Sequence, residues 1–332
     1  MKIIYLINCK TKTSIPTVWH NSLNQNFGDN IVEIVSLKQL SVRNLKSIFN
    51  CDVIHGHHIK AMSIFILFNW VFCKKTIYTV HGSFSYLSNL NKKLLAYIFI
   101  RTNKIIFVNK YLYDILPDKL KYEIGSKYDI ILNGIDLNIK YKNINIYNKY
   151  NIGQSDKIIF HPARFVSEKN HINILEAFTL LKEKISTIKL VLAGDGVLKD
   201  EIIANIERLG LNNEVILLGI IPKNHVYNLL VKCTLFIMPS KSEGLNVAFL
   251  EAMSLRAKIL VSNIDQFIYP FEYYAINPIN YNVYFTDPND IESIKNGLEC
   301  SISNDKNNVF DMSYFDIDNM HKEYIRNYKE LL

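Results

Sequence analysis

The chain has 332 residues, 49% of them hydrophobic, with 38 Lys and Arg against 31 Asp and Glu. That length exceeds one ordinary domain and that apolar fraction can fill two cores, which excludes a disordered chain or a single small module. The five cysteines are odd in number and scattered, which argues against a disulfide framework or a cysteine metal cluster and for a reducing cytoplasm.

The apolar run after Met1-Lys2 is too short for a secretory leader, so a first strand is expected over 2–8. Further strands are expected over 31–35, 51–55, 75–80, 104–108 and 128–132, with helices over 59–73, 87–101 and 109–116. No window reaches the length of a membrane span; the nearest, 61–73, contains Ser63 and Asn69 and suits a buried helix. Residues 91–104 join cations to an apolar face, which fits a surface-seeking helix and fits equally a helix packed on a sheet with its lysines in water. Strands alternating with helices at this spacing predict a doubly wound parallel sheet, whose ligands sit at the carboxyl ends of the strands, where His81 and Asn133-Gly134 fall.

An Asn/Lys/Tyr tract over 137–155 reads as the connection between domains, and the same alternation then restarts. Strands are expected over 157–160, 189–193, 214–218, 233–238 and 258–262, and helices over 171–184, 198–208, 224–231, 290–302 and 318–332. The expected division is an N-terminal Rossmann-like domain over 1–150, a C-terminal one over 151–311, and a final helix in 312–332 packing back toward the first. A cleft between two such domains is the natural ligand site. Residues 1–150 hold 20 Lys and Arg against 8 Asp and Glu, and the remainder 18 against 23. A basic first half calls for an anionic partner, whether lipid headgroups, a phosphorylated acceptor or nucleic acid; a coding bias toward Ile, Asn and Lys would produce it as well.

The stretch richest in chemistry is Pro239-Ser-Lys-Ser-Glu243-Gly244-Leu245-Asn246-Val247-Ala-Phe-Leu-Glu251-Ala-Met253, a strand end, a tight turn and the first turns of a helix. If Gly244 or Asn246 starts the helix, backbone N–H groups at its positive end favour an anion. Glu243 and Glu251 can accept hydrogen bonds from the hydroxyls of a sugar or ribose, so a phosphate joined to sugars fits both halves. Arg164 and Lys169, just past a strand end and ahead of a helix, supply a planar fork and a point charge, and can replace a metal in stabilising a leaving phosphate. Asp316-Ile317-Asp318 reads as a helix cap, and His55, His57 and His58 lack an accompanying acid, so no metal site is assigned.

These segments resemble family 4 glycosyltransferases, retaining enzymes of the two-domain GT-B fold that use nucleotide sugars. Asn133-Gly134-Ile135-Asp136 is similar to the family's Asn-Gly-x-Asp segment, Arg164-Phe-Val-Ser-Glu168-Lys169 to its Arg-x-x-x-Glu-Lys segment, and Thr79-Val-His81-Gly82 to its first-domain histidine segment. Leu190 to Gly196 and Val215 to Gly219 match two further strand ends. The resemblance implies that Arg164 and Lys169 hold the donor diphosphate, Glu251 the ribose, and Glu243 and His81 the sugar. It also implies that backbone at Gly194, Gly244, Leu245, Asn246 and Val247 lines the donor pocket. On that reading no protein nucleophile and no metal is needed, and the leaving phosphate oxygen takes the acceptor proton. The implied reaction moves a hexose-type sugar from a nucleoside-diphosphate donor, UDP favoured, to a glycan or lipid-linked glycan in surface polysaccharide or lipopolysaccharide assembly. From the residues themselves, the scattered cysteines place the chain in the cytoplasm, and the basic first half tips residues 91–104 toward transient contact with anionic membrane; no nucleic-acid partner is expected. Glu243→Ala is then expected to abolish transfer with the fold intact.

Three departures stand against the family pattern. After the first strand its glycine pair is replaced by Asn8-Cys-Lys10-Thr-Lys12-Thr-Ser14, where a lysine would substitute by charge; its Gly-x-Pro becomes Arg256-Ala257-Lys258; and its acidic, glycine-rich loop becomes residues 263–270. The first keeps a second reading open, a non-catalytic nucleotide-sugar-binding partner subunit on the same fold. A nicotinamide-dependent oxidoreductase is disfavoured, because no strand leads into Gly-x-Gly-x-x-Gly.

Overall fold

The structure, a computed structural model, describes residues 1–8, 31–36, 38, 41–185, 187–244, 246–303 and 311–332. It divides into two compact units, Met1–Asp136 with Phe315–Leu332, and Leu137–Tyr314.

The first unit runs β1 (Lys2–Ile7), β2 (Ile31–Ser36), α1 (Val42–Phe49), β3 (Val53–Gly56), α2 (Ile59–Phe72), β4 (Lys75–Val80), α3 (Asn89–Arg101), β5 (Lys104–Phe107), α4 (Lys110–Asp114), α5 (Asp118–Ile124) and β6 (Tyr128–Ile130). Its strands form one parallel sheet in the order β2-β1-β3-β4-β5-β6. Both faces are covered, so the strands read as unbroken apolar runs whose alternate residues feed two cores. Ile4, Leu6 and Ile54 join the core under the helices, while Ile3, Tyr5 and Val53 join the opposite one. Among the described residues that second face is closed by the helix Ile317–Glu330, through Met320, Tyr324, Ile325 and Tyr328.

The last helix enters by a backbone bridge. Ile135 N donates to Phe315 O at 2.8 Å and Ile317 N to Ile135 O at 2.9 Å. A side chain at Gly134 would place its Cβ 2.7 Å from Ile317 Cα, so the Asn-Gly-x-Asp glycine is required by this close approach. Deeper in, Tyr328 OH lies 2.7 Å from His55 Nδ1, and His55 Nε2 lies 2.7 Å from Thr79 Oγ1.

The second unit continues with α6 (Ile146–Tyr150), β7 (Lys157–Pro162), α7 (His171–Lys182), β8 (Ile188–Ala193), α8 (Lys199–Arg208), β9 (Val215–Gly219), α9 (Lys223–Lys232), β10 (Leu235–Met238), α10 (Val247–Ser254), β11 (Ile259–Ser262), α11 (Asp265–Tyr273), β12 (Val283–Thr286) and α12 (Ile291–Ser303). Its parallel sheet has the order β12-β11-β10-β7-β8-β9. The chain leaves β7 toward one edge and returns at β10 toward the other. The order therefore reverses between β7 and β10, and the carboxyl ends of those two strands are where an open α/β sheet leaves a crevice.

The structure moves two expectations. The boundary falls at 136/137, not 150, because the Asn/Lys/Tyr tract is bound to α9: Lys142 N and Ile144 N donate to the Asn224 and Asn228 side chains at 2.6 and 3.0 Å, and Ile146 is fully buried. Helix α2 is not the buried helix that its apolarity predicts, since Leu67, Phe68, Trp70 and Val71 are exposed; α3 buries Leu95, Ile98 and Phe99. Residues 263–270, where the family loop is replaced, enter helix α11, with Pro270 inside it.

Tyr328→Phe removes one hydroxyl and leaves a buried His55 nitrogen without that partner. It should lower the unfolding free energy by about 1–3 kcal/mol, read from urea denaturation.

Candidate functional site

At the end of β7 the chain runs through Ala163, Arg164 and Phe165 into a short 3-10 turn, Ser167–Lys169. Asn170 then takes the left-handed conformation, which Asn tolerates, and α7 begins. At the end of β10 the chain turns through Pro239 to Asn246, the cap of α10. Because β7 and β10 are neighbours, the two turns meet, and three bonds tie them. His161 Nδ1 donates to Ile237 O at 2.8 Å, Lys241 N to Glu168 O at 2.8 Å, and the Asn170 carboxamide to Pro239 O at 3.0 Å. The same carboxamide also donates to Pro288 O at 2.7 Å, beyond β12.

The frame brings Lys169 and Glu243 into direct contact, 74 residues apart in sequence and both buried. Lys169 Nζ donates to Glu243 Oε1, and the Asn246 amide donates to Oε2 at 3.0 Å. Asn246 also accepts from Ala248 N at 2.8 Å and Phe249 N at 3.4 Å, so part of the N–H array expected to face an anion is already used by the cap. Glu251, one turn into α10 and also buried, is held from α9: Lys223 Nζ lies 2.6 Å from Oε2, and Tyr227 OH donates to Oε1 at 3.1 Å.

Arg164 is exposed, and no ion pair or side-chain hydrogen bond links its guanidinium to a described residue. The backbone around it is rigid nonetheless. Ala163 N donates to Ala193 O at 2.9 Å and Phe165 N to Asp195 O at 3.0 Å. The loop after β8 comes so close that a Cβ at Gly194 would sit 1.9 Å from Ala163 O, and one at Gly196 2.4 Å from Phe165 O. These glycines support the Arg164 segment by near contact, a role beyond a simple turn. Of the remaining pocket residues, Gly244 and Val247 flank the Asn246 cap, and Leu245 lies outside the described residues. So do residues 9–14, with Lys10 and Lys12.

The second unit therefore gathers Lys169, Glu243 and Asn246 into one cluster and sets Glu251 in another, on α10, the helix that Asn246 caps. Lys223, Tyr227 and Asn170 were missed from sequence. The i,i+4 spacing of Lys223 and Tyr227 marks a shared helix face, but nothing in the sequence names Glu251 as its partner. Two surface cavities of the second unit, about 330 and 490 Å³, are lined by other residues, including Phe271 and Pro278 in one and Ile144 and His225 in the other. Among the described residues no group of His, Cys, Asp and Glu is arranged to hold a metal ion.

His81 belongs to the first unit and follows β4. Its Nε2 lies 3.1 Å from His57 Nδ1, with the two rings stacked at 5.4 Å. Burial, with His58 beside it, pushes its pKa down to about 4, and burial holds His55 and His57 well below the usual value. In the second unit burial brings His161 to about 4 and His171 to about 2. All five rings are neutral at neutral pH, and His161 then carries its proton on Nδ1, since a carbonyl can only accept.

Two Rossmann-like sheets in tandem, each doubly wound and wholly parallel, are the architecture of the GT-B class. Over 100% of both chains the structure matches Anabaena Alr3699/HepE, solved in complex with UDP and glucose, with a TM-score of 0.79 and 15% identity, a likeness of fold. The family model Glycosyl transferases group 1 matches residues 143–312 and Glycosyltransferase Family 4 residues 15–139. The first spans more than half of the chain, and the protein belongs to that family, as a GT-B glycosyltransferase of the family 4 type. It is 24% identical over 306 residues to the O-antigen biosynthesis glycosyltransferase WclY of Escherichia coli, covering 82% of this chain and 83% of that one. It is 33% identical over 138 residues to the N-acetylgalactosamine-N,N'-diacetylbacillosaminyl-diphospho-undecaprenol 4-alpha-N-acetylgalactosaminyltransferase of Campylobacter jejuni. That match covers 42% of this chain and spans 35% of the relative's length.

Two outcomes follow from this geometry. Glu243→Ala leaves Lys169 buried without its carboxylate and should destabilise the fold by about 3–5 kcal/mol in denaturant unfolding, where the motif alone leads to the expectation of an intact fold. The histidines with lowered pKa add to acid sensitivity. An unfolded chain takes up their protons near the ordinary value of 6.5, whereas folded His81 and His161 refuse them until about 4. Melting temperature should therefore fall as pH drops from about 6.5 to about 4, with no contribution from these rings above that window.

Proposed function

We propose that this chain moves a hexose-type sugar, with retention of configuration, from a nucleoside-diphosphate donor to a glycan or lipid-linked glycan acceptor in surface polysaccharide or lipopolysaccharide assembly. The observation that carries the reading is the Lys169–Glu243 pair where the strand order of the second sheet reverses. Each member already has the chemistry its ligand would need. A diphosphate competes with Glu243 for the Lys169 ammonium, and the released carboxylate is then open to sugar hydroxyls. Arg164, exposed on a braced segment, supplies the second cation for the diphosphate. Glu251, steadied by Lys223 and Tyr227, accepts from the ribose. His81 is neutral and can donate or accept at the sugar. With two side-chain cations opposing the charge that builds on the leaving oxygen, the reaction requires no metal, and that oxygen takes the acceptor proton.

The names of two relatives support the acceptor class, one being an O-antigen enzyme and the other a transferase whose name includes a diphospho-undecaprenol. The neighbour holding UDP and glucose supports UDP as the nucleotide. No described helix is long and apolar enough to cross a membrane. On this reading the protein works in the cytoplasm, against the inner face of the membrane.

Glu243→Gln separates the two halves of the site. It removes the competitor for Lys169 but keeps an oxygen for Asn246, so UDP should raise the variant's melting temperature at least as much as the wild type's. Sugar transfer should fall about a hundredfold or more. Arg164→Ala should bind UDP about tenfold more weakly with an unchanged melt in the absence of ligand. Wild-type protein that binds UDP-sugars yet turns over none, on any glycan acceptor, would point to the non-catalytic subunit.

A further inference from the structure

Helix α2 is apolar nearly all round, a pattern that ordinarily marks a helix enclosed on every side, yet it lies at the surface of the first unit. Its inner side, with Met62, Phe65 and Ile66, is buried in the core. Its outer side carries Lys60, Ile64, Leu67, Phe68 and Val71, spaced so that they form one continuous stripe. Leu67 is 58% exposed and Phe68 55%, while Trp70 beside them reaches 78%. Helix α1 widens the surface: Phe49 is 53% exposed, with its ring 4.8 Å from that of Phe72. Single exposed apolar side chains are ordinary; a contiguous set on two adjacent helices marks an interaction surface.

The surrounding charge says what covers it. Residues 53–113 contain eight Lys and Arg and no Asp or Glu. Exposed Lys60 and Lys75 stand at the two ends of α2, and exposed Arg43 and Lys46 lie on α1. An apolar stripe inside a cationic border is complementary to an anionic lipid surface, whose acyl chains take the stripe and whose phosphates take the border. A tryptophan suits that boundary, with an apolar ring and one N–H for water or headgroups. A second copy packed stripe to stripe would oppose cations with cations.

We propose that the α1–α2 face is the surface by which this protein lies on an anionic bilayer, with Leu67, Phe68 and Trp70 entering the headgroup boundary. The proposal rests on the peripheral reading given above and names its surface. That surface differs from residues 91–104, whose helix α3 turns Leu95, Ile98 and Phe99 into the core.

The full chain is sedimented with vesicles of phosphatidylcholine alone and of phosphatidylcholine mixed equally with phosphatidylglycerol, without donor or acceptor. Wild type should bind the mixed vesicles and be partly released by salt. Leu67→Ser with Phe68→Ser should lower binding to the mixed vesicles about tenfold, and Lys60→Glu with Lys75→Glu should do the same. Both double variants should melt as wild type does and keep its response to UDP. Equal sedimentation of wild type and the Leu67/Phe68 variant overturns the proposal. So does a wild-type dimer in size exclusion that the same variant dissolves while neither sediments, which assigns the face to a second copy. Loss of the UDP response in wild type with vesicle binding retained would instead overturn the donor site and leave the lipid surface standing.

Discussion

A buried ammonium and a buried carboxylate hold the second unit's chemistry in place, because neither can stay charged away from water without the other. Lys169 ends the turn after β7, Glu243 lies in the turn after β10, and only a sheet that sets those strands side by side allows the two to meet. The ties around them serve that meeting. His161 reaches the β10 backbone, Lys241 reaches back to Glu168, and the Asn170 carboxamide links the β10 turn to the segment after β12. Under the proposed function, donor binding would be an exchange of partners, in which phosphate and hydroxyl replace an internal salt bridge.

Much of the fold was legible because parallel strands covered on both faces leave a plain trace. Ile158-Ile159-Phe160 and Leu235-Phe236-Ile237-Met238 are runs of bulky apolar residues bounded by turn chemistry, and both are buried strands. Asp316 does cap a helix, accepting from Asp318 N at 3.0 Å. The candidate residues could also be picked out of the sequence, since a motif records which side chains are present. What they touch was not legible, because the adjacency of β7 and β10 depends on strand order. Glu251 shows the same limit: its partners Lys223 and Tyr227 lie on a helix that precedes it by two elements, within reach only once α9 and α10 have packed.

Two misreadings share a cause. The tract after Asp136 looks like a linker because it is polar, yet the Asn224 and Asn228 side chains satisfy its backbone and draw it into the second unit. Helix α2 looks like core because it is apolar, yet half of it faces outward. Polarity reports what a segment can tolerate; packing decides what it meets.

The first unit is discontinuous, and this sets an order of events during synthesis. Among the described residues, the sheet face carrying Ile3, Tyr5, Val53 and Ile77 is covered by the helix Ile317–Glu330, made nearly two hundred residues after β6. Leu137–Tyr314 can collapse as an uninterrupted run, whereas the earlier half emerges from the ribosome without this cover and lacks it until Ile317–Glu330 has been made. A stalled or prematurely terminated chain would keep that side uncovered, so truncated products should depend on chaperones or be degraded even when the second unit is complete.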